Sequence, residues 1–126
     1  MSETNQRKAY GRTLVEMGKA DPRIVVLDAD LSGSTMGKMF EEAIPERHFE
    51  FSIAEAAAGL AQAGKIPFAG SFAVFAAGRA FDQIRQTICI GKLNVKICGS
   101  SAGLSDFGDG ATHQSVEDLA IMRAIP

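Results

Sequence analysis

The chain contains no tryptophan, only two cysteines and four prolines, and no long apolar run. Each shortage excludes something. The cysteines, Cys89 and Cys98, sit inside the apolar stretches TICIG and VKICG. They read as small buried hydrophobes in a reducing compartment, not as a disulfide or a metal pair. No apolar run approaches the ~20 residues needed to cross a bilayer. The opening MSETNQRKAY lacks the apolar segment of a signal peptide, so the expected location is cytoplasmic. An excess of charge is missing too: 13 basic residues face 15 acidic ones, a formal net charge of −2. With no clustered basic face, nucleic acid and anionic membrane are not expected as partners.

The 126 residues suffice for one core and are too few for two, so the expectation is one domain spanning 1–126. Glycine and alanine are abundant, in stretches such as AEAAAGLAQAG and FAAGRAF. Such small side chains let helices approach a sheet or another subunit closely.

Short apolar segments alternate with longer helical ones. Residues 6–20 place Tyr10, Leu14 and Met17 on one helix face, and Asp21-Pro22 stops it. IVVL (24–27), HFEF (48–51), IPFAGSF (66–72) and NVKIC (94–98) read as strands. Helices are expected at about 36–43, 52–64, 73–91 and in SVEDLAIMRAI near the end. This alternation predicts an α/β fold: a doubly wound, mostly parallel sheet with helices on both faces. The loops 28–35, 52–55, 70–75 and 99–114 all follow strands. They should gather at the carboxyl edge, where such sheets bind ligands.

Each candidate residue has two readings. Ser52 and Glu55 form S-x-x-E ahead of an apolar run, which is a capping box. Alternatively Glu55, flanked by alanines and with no lysine or arginine within three residues, is a carboxyl group raised by desolvation and suited to sharing a proton with a ligand nitrogen. Phe72 and Phe75, three apart, either pack in the core or stack on a flat heterocycle. Asp30 and Ser34 in DADLSGST either cap a helix or meet a ligand. In GDGATHQSVED, Thr112 or Ser115 is placed to cap the last helix, leaving Asp109 and His113 to project from a glycine loop.

Taken together, the stretches FEFSIAEAAAGLAQAG, PFAGSFAVFAAGRAFDQIR, NVKICGS and GDGATHQSVEDLAIMRAIP closely resemble the pyrimidine-binding domain of transketolases, from about Arg7 to the last residue. The resemblance implies thiamine diphosphate as cofactor and transfer of a two-carbon ketol unit between sugar phosphates. Glu55 then matches the glutamate that bonds N1′ of the aminopyrimidine and favours the tautomer that deprotonates C2 of the thiazolium. Phe72 and Phe75 match the rings packed on the pyrimidine, with Gly78 where some members have a third aromatic. Asp30 matches an aspartate at the cofactor end, and Arg7 and Ser34 match groups that bind the sugar's phosphate. Asp109 and His113 match residues that meet the donor's hydroxyls, and His113 is expected to share in catalysis. Ser101 stands where a histidine often helps hold the phosphate, and Ala56 where other residues are usual after the glutamate.

Gly108-Asp109-Gly110 also opens like the metal motif of thiamine diphosphate enzymes. That motif needs a later asparagine, and the last one in this chain, Asn94, precedes it. By resemblance the loop is a substrate-side loop, and Mg²⁺ belongs to a diphosphate-binding N-terminal-section subunit acting as partner. The expectation is the beginning of the second product of a split transketolase, without its C-terminal strands, inactive alone and assembling as a homo- or hetero-oligomer. The alternatives are a 1-deoxy-D-xylulose-5-phosphate synthase-like protein, the β-subunit of a 2-oxo acid dehydrogenase, and a non-catalytic assembly module.

Overall fold

The computed structural model describes residues 5–51 and 54–126. Helix α1 (Gln6–Ala20) starts at Asn5, whose side chain accepts from the backbone N–H of Lys8. It ends at Asp21, and Arg47 donates to the carbonyls of Gly18, Asp21 and Ile24. A distant guanidinium thus satisfies the Gly18 carbonyl, left unpaired by the helix end, and reaches two carbonyls just beyond it.

Strand β1 (Ile24–Asp28) is buried along its whole length. It leads through α2 (Ser32–Thr35) and α3 (Lys38–Ala43) to β2 (His48–Glu50). Helix α4 (Glu55–Gln62) returns the chain to β3 (Ile66–Phe72). A long helical stretch follows, and β4 (Lys96–Ser100) comes next. The last helix, α6, covers Asp118–Arg123. The strand order is β2-β1-β3-β4, every pair parallel.

Alternation along β1 sends Ile24 and Val26 to one face, where Leu14 of α1 and Phe40 and Ile44 close the core. Val25 and Leu27 point the other way, against Ala57 of α4 and Ala69. Helices therefore cover both faces, as the apolar strands require. Leu14 and Phe40 are fully buried, each worth about 2–3 kcal/mol of transfer free energy.

Besides α2, which forms inside the expected loop 28–35, two segments differ from the sequence expectation. Residues 73–91 are not a uniform α-helix: α5 (Phe81–Gln83) is flanked by wide-turned segments Val74–Arg79 and Ile84–Cys89. There the bonds run five residues back, from Ala80 N–H to Phe75 C=O and from Ile90 N–H to Arg85 C=O. Strand β4 lies two residues later than NVKIC suggests, because its partners are Phe68–Phe72 and the pairing begins at Lys96.

Candidate functional site

The chain moves from β1 to β2 on one side and then to β3 on the other. The order therefore reverses between β1 and β3. In parallel sheets the crevice beyond that switch point is where ligands bind. The segments after β1, β3 and β4 meet along this carboxyl edge.

Beyond β3, Phe72 is buried and Phe75 half-buried. Their rings lie 6.4 Å apart, 19° from parallel. His113 stands edge-on to both, 5.8 Å from Phe72 and 5.2 Å from Phe75. Its Nδ1 lies 2.9 Å from the Thr112 hydroxyl. The loop carrying it is pinned at its base: Gly103 and Ser115 exchange two backbone hydrogen bonds, and the Gln114 amide donates to the Asp106 carbonyl. A pair of neighbouring phenylalanines and a histidine distant in sequence thus form one aromatic wall.

Next to that wall is an open cleft of about 500 Å³, lined by Arg7, Ser34, Phe72, Ser101 and Asp109 among others. Arg7 Nη1 donates to the Ser34 carbonyl at 3.2 Å, using one of a guanidinium's five donors. Arg7 and Asp109 are exposed, while Ser34 and Ser101 are half-buried. Ser101 has φ 53, a conformation uncommon for a residue with a side chain. A second hollow of about 450 Å³ shares Arg7 and Ser101 and reaches Tyr10 and Cys98.

Two expected site residues stand apart. Asp30 is exposed, at φ 57, its N–H donating to Glu50 Oε2 at 2.8 Å. It lines a separate depression with Ala29, Glu50 and Phe51. Glu55 is exposed at the first position of α4. Ala54 occupies the N-cap position of α4, and the capping-box reading rests on Ser52, which lies outside the described residues. Neither Thr112 nor Ser115 caps α6. Its N-cap position is Glu117, and Ser115 is buried in the bridge to Gly103.

Sequence reasoning missed the buried polar cluster beneath the cleft. Asp28, the last residue of β1, is 1% exposed. Thr35 Oγ1 donates to its Oδ1 at 2.6 Å, and His48 Nε2 lies 3.2 Å from its Oδ2. Burial pushes its carboxyl above the usual carboxylate range, although the bonds from Thr35 and His48 oppose the shift. The Tyr10 hydroxyl is buried nearby and makes no full-strength hydrogen bond. Its neighbour is the weak donor Cys98, and burial raises both groups' pKa. The available signal was an acid closing a wholly apolar strand.

Nearly parallel rings with one still half open suit a flat heterocycle such as an aminopyrimidine. A guanidinium beside serine hydroxyls suits a phosphate or other oxyanion. Among the described residues, no three His, Cys, Asp or Glu side chains gather as a metal site would need. Among the same residues, no helix is long and apolar enough to cross a membrane.

Comparison with known proteins identifies the family of this chain. The family described as transketolase, pyrimidine binding domain, matches residues 2–126. A putative transketolase C-terminal section from Methanocaldococcus jannaschii is 55% identical over 95% of this chain and 40% of its own length. A 6-deoxy-6-sulfo-D-fructose transketolase subunit from a Clostridium strain is 44% identical, over 39% of its length. Human transketolase is 41% identical, over 20% of its length. Among solved structures, a split gene transketolase described as an inactive β4 tetramer is 58% identical. It superposes with a TM-score of 0.78, over 95% of this chain and 40% of that one. The transketolase of Campylobacter jejuni, 24% identical with a TM-score of 0.82, shares the fold. The chain thus spans about two-fifths of the length of the split relatives it matches. It belongs to the transketolase family, a family of transferases, and carries that family's pyrimidine-binding domain.

Proposed function

We propose that this chain supplies the pyrimidine side and the sugar side of a thiamine diphosphate-dependent transketolase. Its substrates are ketose and aldose phosphates, and it acts with a diphosphate-binding partner section that holds Mg²⁺. The observation that carries this reading is the adjacency of the Phe72–Phe75–His113 wall to the Arg7–Ser34–Asp109 cleft. One face receives a flat ring, and the other receives an anionic polyol.

When bound, thiamine diphosphate supplies the carbanion chemistry of ketol transfer. Within this chain, Glu55 accepts a hydrogen bond from the protonated ring nitrogen of the pyrimidine and so fixes its tautomer. Phe72 and Phe75 hold the ring plane and exclude water from it. Arg7 and Ser34 hold the sugar's phosphate, which fixes how far the sugar enters. Asp109 and His113 orient donor hydroxyls, and His113 moves a proton at a hydroxyl oxygen.

The exposure of Glu55 favours action in a complex, since its carboxylate needs a second surface to close over it. The coverage of the split relatives, and the naming of one as a C-terminal section, point the same way. Assembly into an oligomer is supported by the related β4 tetramer. A sulfonated ketose is the second reading, favoured by Ser101 in place of a histidine and by the 44% identical sulfo-sugar relative.

The test is a mixing assay. The chain, and a form extended through the remaining sections of the split relatives, are titrated with the diphosphate-binding section, thiamine diphosphate and Mg²⁺. Transfer from xylulose 5-phosphate to ribose 5-phosphate is followed, with 6-deoxy-6-sulfo-fructose as rival donor. Turnover in the extended mixture is the expected result. Association without turnover of either donor would refute the reading.

A further inference from the structure

Loop 29–37 carries Asp30 and Ser34, two of the residues assigned to ligands, yet it is anchored from beneath. Thr35 Oγ1 donates to Asp28 Oδ1 at 2.6 Å and accepts from the Gly37 N–H at 3.2 Å. One hydroxyl therefore ties the end of β1 to the turn that closes the loop. Between them Met36 sits at φ 69, a left-handed conformation that persists only where surrounding contacts hold it. On the other side of Thr35, the Ser34 carbonyl receives the Arg7 guanidinium. A shift of the Thr35 turn displaces Ser34 and Arg7 together.

The carboxylate's seat is built for it. A Cβ at position 37 would fall 1.8 Å from Asp28 Oδ2, and one at position 70 would fall 2.9 Å from Oδ1. Both positions are glycine. His48 holds Oδ2, so the carboxylate cannot turn its Oδ1 away from Thr35 without losing that partner.

We propose that Asp28 is a positioning residue for the sugar-phosphate end of the cleft, acting through the Thr35 hydroxyl to fix Ser34 and Arg7. This rests on the reading that the cleft takes a sugar phosphate. Asp28 is too deep to touch substrate, so its effect belongs to binding and not to the chemical step.

The test uses Thr35→Val, which keeps the shape and removes the hydroxyl, and Thr35→Ser, which restores it. Thr35→Ala gives the same readings should the valine variant fail to fold. Hydrogen exchange of residues 29–40 should speed up about tenfold in Thr35→Val, confined to that segment, and return in Thr35→Ser. In the reconstituted enzyme, KM for the sugar phosphate should rise about tenfold with kcat within about threefold. Unchanged exchange would overturn the anchor. Loosened exchange with unchanged KM would overturn the positioning role while leaving the transketolase reading intact. A wild-type complex that turns over no sugar phosphate would overturn both.

Discussion

His113 stands edge-on to Phe75, ring centroids 5.2 Å apart and planes at 83°. The loop bearing His113 is thereby joined to the ring wall, so a change in one is felt by the other. Phe72 is the buried member of the wall, and Phe72→Ala should destabilise the chain by about 3–5 kcal/mol. Half-buried Phe75 bears less of the core. Phe75→Ala should cost less stability and weaken thiamine diphosphate binding about tenfold in the reconstituted enzyme. Urea denaturation and a cofactor titration separate the two, and equal effects on both readouts would refute this division of labour.

Glu55→Gln tests the assigned proton partner. The residue is exposed at the start of α4, away from the core, so the variant should remain folded. Turnover of the reconstituted enzyme should fall by about 10²-fold or more. Activity retained in this variant removes Glu55 from the mechanism.

Gly37→Ala drives a methyl group into Asp28 Oδ2, 1.8 Å away, and should cost about 2–3 kcal/mol. Gly59→Ala, in α4 with nothing within 4 Å, should gain about 0.5–1 kcal/mol. The comparison is made by chemical denaturation. Two equally tolerated variants would show that the carboxylate can leave its seat.

Burial raises the Asp28 carboxyl, so the folded chain takes up its proton at a higher pH than the unfolded chain does, near the ordinary 3.8. Between those values the folded state holds more protons, and stability falls as pH rises through the window. Asp21 has the opposite sign: bonds from Arg23 lower it to about 2, and its contribution is lost only as pH falls below the ordinary value. Wild type should therefore gain stability relative to Asp28→Asn as pH is lowered from about 7 to about 4. Urea midpoints read the difference, and a pH-independent gap would rule the effect out.

Ser101 sits at φ 53, where histidine is tolerated better than most residues. Ser101→His should lower KM for a sugar phosphate severalfold, whereas Arg7→Ala should raise it about tenfold or more. Steady-state kinetics decide, and a histidine that leaves KM unchanged would place position 101 outside the anion's reach.

The strands and the carboxyl edge were legible because wholly apolar segments such as IVVL must be covered on both faces. The contact of His113 with the aromatic pair was not legible, since nothing local ties His113 to Phe72. The wide turns at 74–79 and 84–89 have no composition that distinguishes them from α-helix. Asp28 was passed over because its importance lies in Thr35, His48 and two glycines that only the fold brings around it.

The strand order also dictates a schedule. β1 needs β2 on one side and β3 on the other, and each pairing closes a loop through a helix. During synthesis β1 emerges first but is not sandwiched until residues 66–72 have left the ribosome, and such non-local pairing is slow. The ring wall comes later still, when the segment bearing His113 arrives after β4. Between the emergence of β1 and that of β3 the nascent chain thus carries its most apolar strand incompletely covered, the period in which chaperone binding should matter most.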